Sequence, residues 1–385
     1  MEKAVKHSAG SYDVLVVGAG VIGLSIAREL HKRGVSRIAV VDRGEAGKEA
    51  SFAAAGMLSP HAEADREDEF YRFCAESFGL YDTFAAELFD ETGIDIELDR
   101  KGALYISFDD QRSAEIDRRF EWQARAATGV CRLSRAEILA LEPCVSPAVM
   151  DGLFFPNDWQ VENRKLLAAL RRYADLNGIS IIENCRIDRL MVTNGRVSGA
   201  VAGDGNMTAE HTVLATGAWT SLIEIGERPF PVRVEPVKGQ MICFAARPGM
   251  LKKVIFGPNG YLVPRKDGRI LAGATVEHAG FDKEVNAETI ASLHSAALEI
   301  APALRNFKIV DSWAGLRPMV SDGLPVIGDV SGITGLHVAT AHFRNGILLA
   351  PLTAAIVASA VTGDERSEYL RYFGAARFGI SAGTR

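Results

Sequence analysis

Residues 12–42 read YDVLVVGAGVIGLSIARELHKRGVSRIAVVD, and this stretch decides the fold. Tyr12 to Val17 is apolar apart from Asp13, the pattern of a strand buried on both faces. It enters Gly18-Ala19-Gly20-Val21-Ile22-Gly23, from which an amphipathic helix runs from about Val21 to Lys32 and stops at Gly34. Arg37 to Val41 is a second apolar strand, ending at Asp42. Such a βαβ unit with G-x-G-x-x-G at its first turn is a dinucleotide-binding fingerprint. Gly18 permits the tight turn, Gly20 lets a pyrophosphate approach bare backbone, and Gly23 lets helix and strand pack closely. The helix start offers free N–H groups and the positive end of its dipole. Asp42, about 20 residues beyond the glycines, is placed to accept hydrogen bonds from a ribose. The fingerprint alone leaves FAD and NAD open.

The chain of 385 residues has length for two or three domains. With 48% hydrophobic and 24% charged residues it is neither a disordered chain nor a small disulfide scaffold. A formal net charge of -6 gives no long-range attraction to nucleic acid or anionic lipid, so neither is expected as a partner. The five cysteines include no C-x-x-C pair and are odd in number, which fits unpaired thiols in a reducing compartment. Met1 to Ser11 is polar and does not read as a signal peptide, and the expected location is cytoplasmic. The longest apolar stretch, Ile347 to Val361, is too short to span a bilayer and contains Pro351, so it is expected to be a buried helix.

Downstream of Asp42, periodicity predicts one long helix between Asp68 and Thr92, short strands at Ile94–Leu98 and Ala103–Phe108, and a charged helix from Gln111 to Thr128. A β-rich section opens near Asp151. A helix follows over Asn163–Leu176 with Asn163 as its cap, then a strand over Ile179–Glu183 and a hairpin over Arg186–Val201 turning at Asn194-Gly195. Val232 to Arg269 is again β-rich, Ala287–Ile300 is helical, and the last third returns to strand, Gly-rich turn and helix. No internal repeat or flexible linker interrupts this order.

Several stretches together resemble one family. They are Gly18 to Gly23, Ala53-Ala54-Ala55-Gly56-Met57-Leu58 with His61-Ala62-Glu63 behind it, Thr216-Gly217-Ala218-Trp219, Trp313-Ala314-Gly315-Leu316-Arg317-Pro318, and His342-Phe343-Arg344-Asn345-Gly346-Ile347-Leu348-Leu349. The chain is similar over nearly its whole length to the FAD-dependent D-amino acid oxidase superfamily, and within it to the glycine oxidases of thiazole (thiamine) biosynthesis. That resemblance implies an α/β fold with a Rossmann-like FAD-binding domain, discontinuous over residues 1–80, 150–225 and 310–385. An interleaved α+β substrate-binding domain, residues 81–149 and 226–309, would be built on a large antiparallel-rich sheet.

The resemblance implies non-covalent FAD held by Gly18, Gly20, Val21, Ile22, Gly23, Asp42, Arg43, Ser51, Ala54, Ala55, Gly56, Met57, Ile187, Thr216, Gly217, Trp219, His342, Arg344, Asn345, Gly346, Ile347 and Leu348. No cysteine follows Cys243 and Ala53 stands where some relatives carry a flavin-linking histidine, hence no covalent link is expected. It implies Tyr261, Arg317 and Arg344 as the substrate-facing residues. Arg317 is followed by Pro318 and has no acidic neighbour in sequence, and a bidentate guanidinium is the natural clamp for a carboxylate. Helix initiation after Asn345-Gly346 would aim free N–H groups at the flavin edge that becomes negative on reduction.

The implied reaction is oxidative deamination of glycine or a related small amine or D-amino acid, by hydride transfer from Cα to the flavin and reoxidation by dioxygen to hydrogen peroxide, in a homo-oligomer. A dehydrogenase with another electron acceptor is the alternative. Asn259 and Val276 replace a histidine and a methionine of the glycine oxidases, and both are expected near the substrate pocket. No metal site is expected. His61, Glu63, Asp65, Glu67, Asp68 and Glu69 read as a solvated helix start.

Overall fold

The computed structural model describes residues 10–126, 128–203, 205–365 and 367–378. Most of the polar N-terminal segment, on which the signal-peptide expectation rests, lies outside them. The opening unit forms as read: β1 (Ser11–Val17), α1 (Val21–Lys32) and β2 (Ile38–Val41), with the two strands parallel and Val14–Val17 matched to Ile38–Val41. Ser180–Ile182 continues the sheet beyond β2, and Gly205–Leu214 flanks β1 on its other side, both in parallel. Leu336–Thr340 adds a further parallel strand next to Gly205–Leu214. The predicted hairpin Ile187–Thr193/Arg196–Ala202 joins this ten-stranded sheet through an Asn194-Gly195 turn with both residues at positive φ.

One face of the sheet is covered by α1 and the helices Asn163–Leu176, Glu69–Gly79 and Gly346–Thr362, which share one core. Charge inside it is paired: the buried Arg28 meets Glu87 and Glu91 at 2.7 Å each and lies against the rings of Phe84 and Tyr173. The apolar helix Gly346–Thr362 is buried on nearly all sides, which is why it shows no polar stripe. Its Pro351 cannot donate to the carbonyl of Ile347. The buried Tyr81 hydroxyl donates to that carbonyl instead, and Ser77 Oγ donates to the next one, Leu348, at 2.7 Å. Among the described residues no helix is long and apolar enough to cross a membrane.

A second sheet has eight strands in the order Ile309–Met319, Glu235–Ala245, Arg269–Gly273, Gly260–Pro264, Val254–Gly257, Ala103–Ile106, Asp151–Phe155 and Cys131–Ser134. All of its pairings are antiparallel except Val254–Gly257 with Ala103–Ile106. The expected division of the chain therefore shifts. That division puts residues 151–155 and 310–319 with the nucleotide-binding part, yet they belong to strands of the second sheet. Tyr81, Phe84 and Leu88, placed with the substrate part, pack into the core of the first.

Three local expectations need correction. The long helix over 68–92 breaks at Leu80 into Glu69–Gly79 and Tyr81–Thr92. Ile94–Leu98 is irregular rather than a strand, with Glu97 at φ 55°. Glu162, not Asn163, caps the helix by accepting from Lys165 N at 2.9 Å, because the Asn163 amide is used elsewhere, donating to the carbonyls of Ser51 and Phe52.

Helix α1 can lie on β1 only because position 23 has no side chain. A Cβ on Gly23 would stand 1.9 Å from the carbonyl oxygen of Gly18, a backbone atom that cannot swing away. Gly23→Ala should therefore destabilise the fold by about 1–3 kcal/mol or more. Gly44→Ala, whose added carbon meets nothing within 4 Å, should leave the calorimetric melting temperature close to wild type.

Candidate active site

A long cavity runs from the C-terminal ends of β1 and β2 to the second sheet and encloses about 1810 Å³ of empty space, part of it open to solvent. At its first end the backbone prepares the walls. The N-terminus of α1 has no cap from Gly20, and Ser51 Oγ accepts from Val21 N at 3.0 Å across 30 residues. Asp42 accepts from Ala19 N at 2.7 Å and Gly44 N at 3.0 Å, and burial pushes its carboxyl upward from the ordinary range. The Arg43 guanidinium sits 4.5 Å over the Trp219 ring, and both line the cavity with Ile187.

The middle is walled by the small residues Ala53 to Gly56. The backbone of this segment and of Ser51 just before it is held by three side chains from afar. Trp313 Nε1 donates to Ala53 O at 2.9 Å, Arg265 Nη2 donates to Ala55 O at 2.9 Å, and Asn163 Nδ2 donates to Ser51 O at 2.8 Å. Across the cavity stand Thr216, Gly217, His342 and the start of helix Gly346–Thr362, with Asn345, Gly346 and Ile347 on the lining and no side chain capping the first turn. Ala341 and Phe343 flank His342 at φ 58° and 45°, a left-handed geometry that non-glycine residues rarely adopt away from functional loops.

At the far end Arg317, Tyr261, Arg344 and Met241 meet. Arg317 comes from the strand Ile309–Met319 and lies flat across Gly239 of the neighbouring strand Glu235–Ala245. A Cβ on Gly239 would be 2.3 Å from both guanidinium Nη atoms. Arg317 Nη1 donates to the carbonyl of Thr275 at 2.9 Å, which leaves donors for a ligand. Burial pushes the Tyr261 hydroxyl upward, so it is a neutral donor at ordinary pH. Arg344 Nη2 faces Glu63 Oε1 at 3.6 Å.

Nearly all the sequence-predicted site residues line this cavity. Gly23 and Leu348 do not: Gly23 serves helix packing and Leu348 lies in the core. Asn259 and Val276 are also absent from the lining. Asn259 is exposed and donates to Glu299 at 2.9 Å, and Val276 is 57% exposed, so neither departure shapes the pocket wall. The solvated reading of residues 61–69 fails in part. His61 is buried and Glu63 lines the cavity, because Asp158 takes the backbone N–H groups of His61 and Ala62. Among the described residues no group of three His, Cys, Asp or Glu could hold a metal. Sequence reading missed Glu63, Gly239, Met241 and Arg265, of which only Glu63 carried a signal, as part of His61-Ala62-Glu63.

Residues 13–360 match the family described as FAD dependent oxidoreductase. The chain belongs to this family. Within the FAD-dependent oxidoreductases it is 34% identical to a glycine oxidase of Pseudomonas putida, over 92% of this chain and 96% of that protein. It is 35% identical to a bifunctional protein ThiO/ThiG of Trichormus variabilis, over 97% of this chain and 56% of that longer protein. The crystal structure of glycine oxidase from Geobacillus kaustophilus superposes with a TM-score of 0.90 at 34% identity, covering 96% of this chain and 99% of that one.

The residues present fit FAD on their own geometry. A bare-backbone turn at a helix start suits the pyrophosphate, Asp42 keeps lone pairs toward the cavity for the ribose, and the Arg43–Trp219 pair offers a flat wall for a base. The Ala53–Gly56 segment lets a ring system lie close to backbone.

Two outcomes follow. Gly239→Ala should displace the Arg317 guanidinium and weaken carboxylate binding about tenfold, a change of roughly 1.4 kcal/mol. Carboxylate titrations followed by flavin absorbance would read this, with FAD content unchanged. Burial holds the His342 imidazole down at about 3 and that of His61 at about 4, against an ordinary 6.5. Below pH 6.5 the unfolded chain takes up these protons and the folded protein does not, so stability is full above 6.5 and falls steadily toward pH 4. His342→Asn should flatten the dependence of melting temperature on pH across that window.

Proposed function

We propose that this chain oxidatively deaminates glycine and similarly small amines, in the setting of thiamine thiazole synthesis that its family resemblance implies. The observation that carries the reading is the convergence of Arg317 and Tyr261 on one end of a cavity whose other end is a dinucleotide cradle. A bound flavin supplies a hydride acceptor that dioxygen can reoxidise.

The protein's own residues do the positioning. Arg317 offers a planar pair of donors and Tyr261 a neutral hydroxyl, so a carboxylate seated there is fixed at both oxygens. The adjacent Cα is then aimed back along the cavity toward the wall formed by Gly56, Met57 and the start of helix Gly346–Thr362. That helix end stabilises negative charge developing in front of it. The nitrogen lone pair drives loss of hydride from Cα, so no side-chain base is required and orientation supplies much of the rate. Overall, the amine, dioxygen and water become the oxo acid, ammonia and hydrogen peroxide. Met241, Met57 and Tyr261 line this end of the cavity, and a substrate with little or no side chain is the one proposed to sit among them.

In this reading the FAD is held without a covalent bond. Cys185, the only cysteine on the cavity among the described residues, lies beside Ile187 and Asp42 rather than near Tyr261. The enzyme would work as a homo-oligomer in the cytoplasm.

The test is an anaerobic panel of glycine, sarcosine, D-alanine and D-proline, followed by peroxide detection in air. Glycine should bleach the flavin and yield stoichiometric peroxide. Arg317→Ala should lose about 2–5 kcal/mol of substrate binding, seen in KM. Slow reoxidation of the reduced enzyme by oxygen would replace the oxidase with a dehydrogenase, and an unchanged KM in Arg317→Ala would remove that residue from the site.

A further inference from the structure

Glu63 brings a negative charge to the end of the cavity that is otherwise built to receive an anion. Its carboxylate faces Arg344 at 3.6 Å, and its side chain is only 17% exposed. This position is built into the loop. Asp158, wholly buried, accepts from His61 N at 3.2 Å and Ala62 N at 2.8 Å, and Gln123 Nε2 donates to His61 O at 2.8 Å. Arg119 Nη1 then grips the carbonyls on both sides of Glu63, those of Ala62 and Ala64, at 3.0 Å each. Glu63 thus has little freedom to leave the cavity wall.

Charge sets the consequence. Arg317 and Arg344 are cations, Tyr261 is neutral, and Glu63 cancels one of the cations, so the substrate end of the cavity carries a single uncompensated positive charge. The Glu63 carboxylate is also the main reason the Arg344 guanidinium holds its proton more tightly than usual. A neighbouring cavity shares Ser59, Glu63 and Asn345 with the main one and is further lined by Asp65, Arg66 and Asp68.

We propose that Glu63 is a specificity-determining residue that restricts the site to substrates with one negative charge. It does so by cancelling Arg344 and by presenting an acceptor, rather than a donor, to the amine end of an amino carboxylate. A second carboxylate on the amine nitrogen, as in iminodiacetate, would be driven toward Glu63 and repelled. The inference rests on the proposed seating of the substrate carboxylate on Arg317 and Tyr261.

The experiment compares wild-type holoenzyme with Glu63→Gln and Glu63→Asp, each checked for flavin content and melting temperature. Acetate and malonate are titrated against the flavin absorbance, and kcat/KM is measured for glycine and iminodiacetate. In Glu63→Gln the affinity ratio of malonate to acetate should rise about tenfold or more, and the iminodiacetate-to-glycine ratio should rise with it, mainly through KM. Glu63→Asp should stay near wild type.

A Glu63→Gln variant that changes both members of each pair by the same factor, or leaves the ratios unchanged, overturns the proposal. If wild type fails to oxidise glycine but the malonate-to-acetate ratio still responds to Glu63→Gln, the glycine reading falls and the charge-selecting role stands. If Arg317→Ala leaves acetate binding unchanged, the role of Glu63 falls together with the clamp.

Discussion

The site depends on one buried guanidinium. Arg265 follows directly after the strand Gly260–Pro264 of the second sheet and donates to Gln160 Oε1, the carbonyls of Val161 and Ala55, and Asn163 Oδ1, all at 2.8 to 3.0 Å. Taking such a charge out of water is expensive unless its donors are matched. Here four donor contacts are met, while buried Nε makes no hydrogen bond and has the Glu162 carboxylate 3.8 Å away. Burial lowers it only to about 10, so it stays charged at neutral pH. Through Ala55 it sets the wall where a flavin would lie, and through Asn163 it reaches the helix that packs on the nucleotide-binding sheet. Gln160 returns a hydrogen bond to Pro264 O at 2.8 Å, so the second sheet and the first are joined by a closed polar network rather than by apolar contact alone.

Placement of charge within the cavity matters more than the overall balance of the chain. The net charge of -6 says nothing of the far end of the cavity, where two guanidinium groups and one carboxylate line the same wall. Gly239 is the structural counterpart of that electrostatics: a strand position without a side chain supplies the slot in which Arg317 lies. Thr275, one residue before the exposed Val276, fixes its orientation through its carbonyl.

What could be read beforehand follows from the range of the forces involved. The βαβ opening is local: strand, glycine turn, helix and acid all act within residues 12–42, so their spacing is sufficient. Arg317, Tyr261 and Arg344, which we propose face the substrate, stand out through resemblance, because little in their own neighbourhoods separates them from structural residues. Glu63 looks solvated in sequence because its neighbours are acidic and polar, while the groups that turn the loop inward are distant: Asp158 lies 96 residues from Ala62, and Gln123 and Arg119 hold the adjoining carbonyls. Gly239 and Arg265 had no signal, since each is explained by a partner far along the chain. The break at Leu80 and the irregular 94–98 segment are tertiary effects of the same kind: Tyr81 is turned inward to meet the Ile347 carbonyl that Pro351 orphans.

The order in which the cavity walls occur along the chain has a bearing on biosynthesis. Lining residues begin at Val17 and end at Ile347, and the wall opposite Gly56 is supplied by residues 339–347. The cradle for the pyrophosphate leaves the ribosome first, but it cannot close around a flavin until the strand Leu336–Thr340 and the helix that follows have emerged and paired with segments made long before. Cofactor capture is therefore a late event on a newly made chain. Until then the side of α1 that packs against helix Gly346–Thr362 stays uncovered, and transiently exposed apolar surface of this kind makes a nascent chain prone to aggregate.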